Sequence, residues 1–150
     1  MMAHKHVRPP DARIIKALYA LGLGRLIGRK ILLLTTTGRK SGLPRVTPLQ
    51  YEAIDGAWYV ASAKGAKADW FQNILANRHV QVRVKACHAH GLADPITDPT
   101  RIADFLELRL QRHPTMMRAI LHSDGLPAQP SRADLEAYAR KLAIVIVRPA

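Results

Sequence analysis

Apolar residues recur along this chain with two periods, and the switches between them divide it into elements. Over 11–28, Ile14, Ile15, Leu18, Leu21 and Leu26 fall at helical spacing, with Arg13, Lys16 and Arg25 elsewhere. This pattern predicts an amphipathic helix, weakened in its second half by Gly22 and Gly24. An apolar, β-branched run over about 30–37 predicts a buried strand. A second strand is expected over about 45–54, ending at Asp55-Gly56, a strong two-residue hairpin signal. A third, about 57–63, places Trp58 and Val60 on one face and Tyr59 and Ala61 on the other. Short connections make these three an antiparallel meander.

Beyond a loop at 64–68, a short helix is expected near 69–77. Asp69 is its expected cap, and the pairs Trp70/Ile74 and Phe71/Leu75 fall four residues apart. Val80, Val82, Val84 and Ala86 alternate with Gln81, Arg83 and Lys85, which predicts one long strand over about 79–93, able to bend around a small barrel. Asp98-Pro99 opens a helix to about 112, and Pro114 opens another to about 122. Ser131 with Asp134 resembles a capping box before a helix over 132–141. Leu142–Val147 reads as a buried strand. Five or six antiparallel strands with helices between them define an α+β fold, and such a sheet avoids open edges most easily by closing on itself. The expectation is a small antiparallel split β-barrel with peripheral helices. It would occupy 11–150 as one domain behind a flexible basic arm at 1–10.

Composition narrows the partners. Apolar residues make up 48% and charged residues 23% of the 150 residues, as in ordinary globular proteins. The net charge of +12 is unusual and favours nucleic acid, an anionic membrane or a polyanionic small molecule. Aromatic residues at 5% and the absence of a recognition motif argue against nucleic acid. The single cysteine, Cys87, excludes an internal disulfide and a cysteine-based zinc cage. With no secretory signal and no apolar run near 20 residues, a cytoplasmic location is expected. The basic segment 11–28 also admits peripheral contact with an anionic membrane. His88 and His90 share one strand face, but without a third ligand they are expected to be surface or pocket-lining residues.

Two stretches carry candidate chemistry. The first strand stops at Gly38-Arg39-Lys40-Ser41-Gly42, with Arg45 shortly after. Glycines allow close backbone approach, and free N–H groups with Arg, Lys and Ser side chains suit a phosphate. The spacing is neither that of a P-loop nor of the dinucleotide fingerprint. From local features alone, the turn reads equally well as a solvated basic hairpin. The second stretch, Lys64–Asn73, places Lys64, Lys67 and Gly65 ahead of a helix N-terminus, a favourable place for negative charge. Trp70 and Phe71 there add flat apolar surface, unless they simply pack in the core.

Taken together, L-L-L-T-T-T-G-R-K-S-G-x-P-R, K-x-x-x-D-W-F-x-N-x-x-A-N and the following V-x-V-R-V resemble the deazaflavin-dependent nitroreductase family. The resemblance covers about 11–93 well and the rest loosely. It implies a split β-barrel related to the FMN-binding pyridoxamine-phosphate-oxidase and flavin-reductase barrels. It also implies an oxidoreductase that uses reduced coenzyme F-420, a deazaflavin, to deliver hydride to a small electron-poor acceptor: a quinone, nitro compound or enone. By position, Arg39, Lys40, Ser41 and Arg45 would contact the phosphate and acidic tail of the coenzyme. Ala61, Ser62, Ala63 and Lys64 would offer backbone donors to its ring, and Asp69, Trp70, Phe71, Gln72 and Asn73 would flank that ring. Relatives with tyrosines lining the acceptor pocket have no counterpart here, since no tyrosine lies between 60 and 137. His113 and His122 stand roughly where a proton donor would fall. The alternatives are an FMN-binding barrel and a non-catalytic cofactor- or lipid-binding protein. Related barrels often pair as homodimers.

Overall fold

A computed structural model describes residues 31–150. The basic arm and the helix expected over 11–28 lie outside the described residues. Six strands and four helices follow: β1 (Ile31–Thr37), β2 (Pro44–Ile54), β3 (Ala57–Ser62), α1 (Asp69–Ala76), β4 (His79–Val84), β5 (Cys87–Ile96), α2 (Pro99–Arg112), α3 (Pro114–Ser123), α4 (Arg132–Ala139) and β6 (Ala143–Pro149). The strands close into an antiparallel barrel in the order β1-β2-β3-β6-β5-β4, as expected. Closure runs through β1 and β4, where Leu34 faces Val82.

Alternation along each strand explains how one small sheet serves two cores. Leu32, Leu34, Tyr51, Val60, Val80, Val82, Val145 and Val147 point inward, and α1 adds Trp70, Phe71 and Ile74 to the same interior. The opposite faces of β3 and β6 present Tyr59, Ile144 and Ile146 to a helical layer containing Ile102, Phe105, Leu106, Met117, Leu121 and Leu135. Tyr59 stacks on Phe105 with ring centroids 5.6 Å apart. The expected division of β3 into two faces is what the barrel uses.

Local signals behave mostly as read. Asp55 (φ 49°) and Gly56 (φ 77°) both take left-handed backbone, the geometry of a tight hairpin turn. Asp98 caps α2 by accepting from the Thr100 N–H at 3.1 Å. Ser131 and Asp134 form a reciprocal capping box on α4. Arg132 then ties α4 to α2 through Asp104 at 2.9 Å and Glu107 at 3.0 Å.

Two expectations need correction. The strand expected over 79–93 is two strands, β4 and β5, paired from Val84↔Cys87 to His79↔Leu92. The chain reverses at Lys85-Ala86, with Lys85 in left-handed backbone at φ 54°. No glycine, asparagine or proline marks that turn, and the alternation continues through it. Asp69, expected to cap the short helix, is its first residue. Ala68 holds the cap position without a side-chain bond, and the Asp69 carboxylate turns to Arg39 instead.

Candidate functional site

The β1–β2 connection is a tight basic loop whose shape comes from its own backbone. The Gly38 N–H donates to the Leu43 carbonyl and the Gly42 N–H to the Gly38 carbonyl, both at 2.8 Å. The Ser41 hydroxyl accepts from the Leu43 N–H at 3.2 Å. A side chain at Gly38 would begin 2.6 Å from the Ser41 Oγ and 3.2 Å from the Leu43 carbonyl oxygen, so it would push Ser41 out of its present position. Gly42 sits at φ +70°, which glycine adopts without strain.

Arg39 fastens this loop to α1. Its backbone N–H and its guanidinium both donate to the Asn73 Oδ1, at 3.2 and 2.9 Å. The guanidinium also meets the Asp69 carboxylate at 3.2 Å. Asn73, buried, completes the joint by donating to the Thr36 hydroxyl at 3.2 Å. Asn73 thus uses both ends of its amide to hold strand, loop and helix together.

The result is a groove of about 600 Å³, bordered by Gly38, Arg39, Lys40, Ser41 and Arg45 from the loop and by Asp69, Trp70 and Asn73 from α1. Pro44, Val46 and Thr47 complete its wall. Lys40 and Arg45 are exposed and have no ion-pair partner among the described residues. Two open cations, a serine and a turn of backbone make a site for a phosphate or carboxylate. The groove therefore joins the first stretch to the helical end of the second, 34 residues apart at Arg39 and Asn73, while Lys64, Gly65 and Lys67 do not line it.

Other predicted residues fall elsewhere. Phe71, expected against a ring, is wholly enclosed in the barrel interior and packs edge-on to Trp70 at 6.2 Å. Gln72 faces away and donates to the Ala66 carbonyl. Ala61, Ser62, Ala63 and Lys64 do not line the groove. Ser62 is buried, and its hydroxyl donates to the Gly65 carbonyl at 2.8 Å. His122 bonds the Leu126 carbonyl at 3.1 Å.

His113 belongs to a cluster that sequence reading missed. Glu52, on β2, is buried, and its carboxylate receives Arg109 at 3.5 Å, Arg112 at 3.4 Å and His113 at 2.8 Å. Arg112 also donates to the Ala53 carbonyl at 3.0 Å. Arg109 lies over the Phe105 ring, 5.9 Å from its centroid. This cluster locks the α2–α3 junction onto the barrel. The sequence offers only a weak sign of it, the spacing of Arg109, Arg112 and His113 on one side of the helix end, with nothing to point to Glu52. Among the described residues no group of three His, Cys, Asp or Glu is placed to hold a metal. Nor is any described helix long and apolar enough to cross a membrane.

The fold and site together define a closed antiparallel barrel with a basic groove at the end of one hairpin. Residues 11–122 match the family model of F420H(2)-dependent quinone reductase, and the chain belongs to that family. It is 35% identical over 89 residues to an F420H(2)-dependent quinone reductase of Mycobacterium tuberculosis, an alignment covering 53% of this chain and 59% of that protein. The matched region thus spans under two thirds of the curated relative. Among solved structures, an "F420 Reductase" aligns with a TM-score of 0.54 at 24% identity, covering 84% of this chain and 91% of that one. An F420-H2 dependent reductase, FDR-A, gives 0.54 at 24%, covering 80% and 95%. The heme storage protein HutZ of Vibrio cholerae gives 0.54 at 13%, covering 81% and 82%. These structural likenesses establish the split-barrel fold.

Proposed function

We propose that this chain binds reduced coenzyme F-420 in the groove between the β1–β2 loop and α1, and that it is an oxidoreductase acting on quinones. The observation that carries the reading is the groove itself: Lys40, Ser41 and Arg45 stand open beside Trp70 and Asn73. A phosphodiester and a string of glutamyl carboxylates need several cations in one groove. Lys40 and Arg45 supply them, and the edge of the largely buried Trp70, with Pro44 and Val46, gives the groove its apolar border.

Bound there, the reduced deazaflavin would supply hydride. The protein's part is placement and charge. Lys40 and Arg45 would neutralise the acidic tail, and Ser41 would hydrogen-bond the phosphate. Asn73 and Arg39 hold the loop against α1, which would keep Lys40, Ser41 and Arg45 in place for the coenzyme. The Ala61–Lys64 segment, expected to offer backbone donors to the ring, does not line this groove and is given no role in the placement. The quinone is reduced by two electrons, gaining one hydride and one proton, while the coenzyme is oxidised. Neither His113 nor His122 lines the groove, so the proton is assigned to solvent rather than to either.

The test is to titrate the protein with F-420 and separately with FMN, following coenzyme fluorescence, then to mix it with reduced F-420 and a panel of quinones, nitroaromatics and enones. Saturable F-420 binding with reoxidation fastest for quinones supports the reading. FMN binding with no F-420 binding overturns the cofactor assignment. Tight F-420 binding without reduction of any acceptor makes the protein a carrier instead.

A further inference from the structure

Arginines on this barrel are mostly paired. Arg39, Arg109, Arg112, Arg132 and Arg148 each meet a carboxylate within 3.6 Å. Arg83, on β4, is partly buried and meets none among the described residues. Its Nη1 is closed off from water and has no hydrogen-bond partner. A guanidinium carries charge and donors but no acceptor, so a nitrogen left in this state is costly.

Strand register sets what surrounds Arg83. It stands directly opposite His88 of β5, and two residues earlier Gln81 stands opposite His90 of β5 and Thr35 of β1. Paired residues share a face, as do residues two apart on one strand, so these five side chains lie together on the outside of the barrel. They line a hollow of about 80 Å³, far below the roughly 300–1,000 Å³ of ordinary small-molecule sites. Its size limits an occupant to one compact group. No aspartate or glutamate lines it. Every polar side chain that does can donate a hydrogen bond: guanidinium, imidazole, amide and hydroxyl. His88 and His90, expected as surface or pocket-lining residues, thus line a pocket, and it shares no residue with the groove.

We propose that this hollow binds a single tetrahedral oxyanion, a phosphate or sulfate group, held on the Arg83 guanidinium and hydrogen-bonded by His88, His90, Gln81 and Thr35. Three features select that occupant. A planar guanidinium offers paired N–H bonds to an oxyanion, and the anion gives Arg83 the counter-charge that no protein acid supplies. A lining made of donors suits a ligand made of acceptors. A metal ion on the imidazoles would instead sit against the charge of the arginine, and among the described residues no three metal ligands converge. The site does not depend on the proposed function, because neither its residues nor its ligand belong to the groove.

Inorganic phosphate is titrated into the full chain at fixed pH, with chloride holding the ionic strength constant, while the imidazole Cε1–Hε1 signals are recorded. His88→Gln and His90→Gln assign the two peaks. Both are expected to move saturably with one midpoint, while the peaks of His113 and His122 in the helical layer stay in place. Phosphate can also enter the basic groove, so these site-resolved signals, rather than total binding, are the readout. Arg83→Gln is expected to weaken the phosphate affinity they report by about tenfold or more. Arg83→Lys keeps the charge without the planar fork. It should weaken that affinity by about threefold, and it repeats the test should Arg83→Gln fold poorly. F-420 affinity should stay within about twofold in both variants. Glycerol phosphate is titrated in the same way to separate two sources of the group. Equal affinity makes the hollow a seat for the end of a larger phosphomonoester, and binding of inorganic phosphate alone makes it a free-ion site. Unmoved His88 and His90 peaks would overturn the inference, as would movement with an unchanged midpoint in Arg83→Gln.

Discussion

Two clusters of cations sit on the same barrel and do opposite things. Around Glu52, Arg109, Arg112 and His113 converge on one carboxylate whose side chain is only 5% exposed. In the groove, Lys40 and Arg45 face solvent with no acid opposite them among the described residues, and only Arg39 has partners. Burial separates the two. A carboxylate taken out of water must be paired and hydrogen-bonded, so the cluster is consumed by structure. An exposed cation keeps its hydration and remains available to a ligand. Basic residues alone do not mark a binding site; basic residues left open on a fixed frame do.

Removing Glu52 gives the largest break in that contrast. Glu52→Ala leaves a largely buried guanidinium, Arg109, without its carboxylate, and breaking such a pair costs about 3–5 kcal/mol. Urea unfolding should show this as a lower midpoint. F-420 affinity of the folded fraction should change by less than about twofold, because Glu52 does not line the groove. A stable variant would mean that the cluster is not structural.

Asn73 lies between the two categories, since it is buried yet lines the groove. Asn73→Ala strands the Thr36 hydroxyl and the Arg39 N–H, a loss of about 1–3 kcal/mol. It should also weaken F-420 binding by loosening the loop from α1. Both a melting curve and a fluorescence titration should move. If only stability falls, the loop's position does not matter to the ligand.

Lys40→Ala and Arg45→Ala sharpen the comparison from the other side. Each removes a charge-assisted bond to the proposed anionic tail, about 1.4 kcal/mol or tenfold in Kd. Melting temperatures should stay put, because neither residue holds the fold. The affinity of the unmutated protein should fall with added salt, and less steeply in either variant. Salt-independent binding would remove both residues from the site.

This division also explains what the sequence disclosed. The apolar run of β1, alternation in β3 and β4, the Asp55-Gly56 turn and the Ser131/Asp134 box are local, each decided by neighbouring residues, and all were readable. The β4–β5 reversal was not, because Lys85-Ala86 carries no turn chemistry; tertiary pairing forces Lys85 into left-handed backbone. The open half of the groove was legible because glycines and cations crowd into one loop. Arg39 was read as a tail ligand, but its partners Asp69 and Asn73 lie 30 and 34 residues away. Nothing near Glu52 in the sequence hints at its role, since its partner Arg112 is 60 positions on. What escaped is what only the closed barrel brings together.

The smallest expected effect tests the helical layer far from both clusters. The Tyr138 hydroxyl donates to the Asp124 carboxylate. Burial first, and then that bond and the carboxylate's charge, hold the phenol well above its ordinary value of 10.0. Being raised in the folded state, it contributes stability that is fully present below about pH 10. As pH climbs beyond 10, the unfolded chain sheds the phenol proton before the folded one does, and stability declines. At neutral pH, Tyr138→Phe should cost about 0.5–1.5 kcal/mol, the worth of one hydrogen bond. The gap to the unmutated protein should then narrow above pH 10, because phenylalanine has no proton to lose. Tyr51, also raised by burial, is present in both proteins and cancels from the difference. Chemical denaturation at pH 7, 9 and 10.5 reads the gap directly, and a gap independent of pH would show that Tyr138 ionises in the folded protein as it does in the unfolded chain.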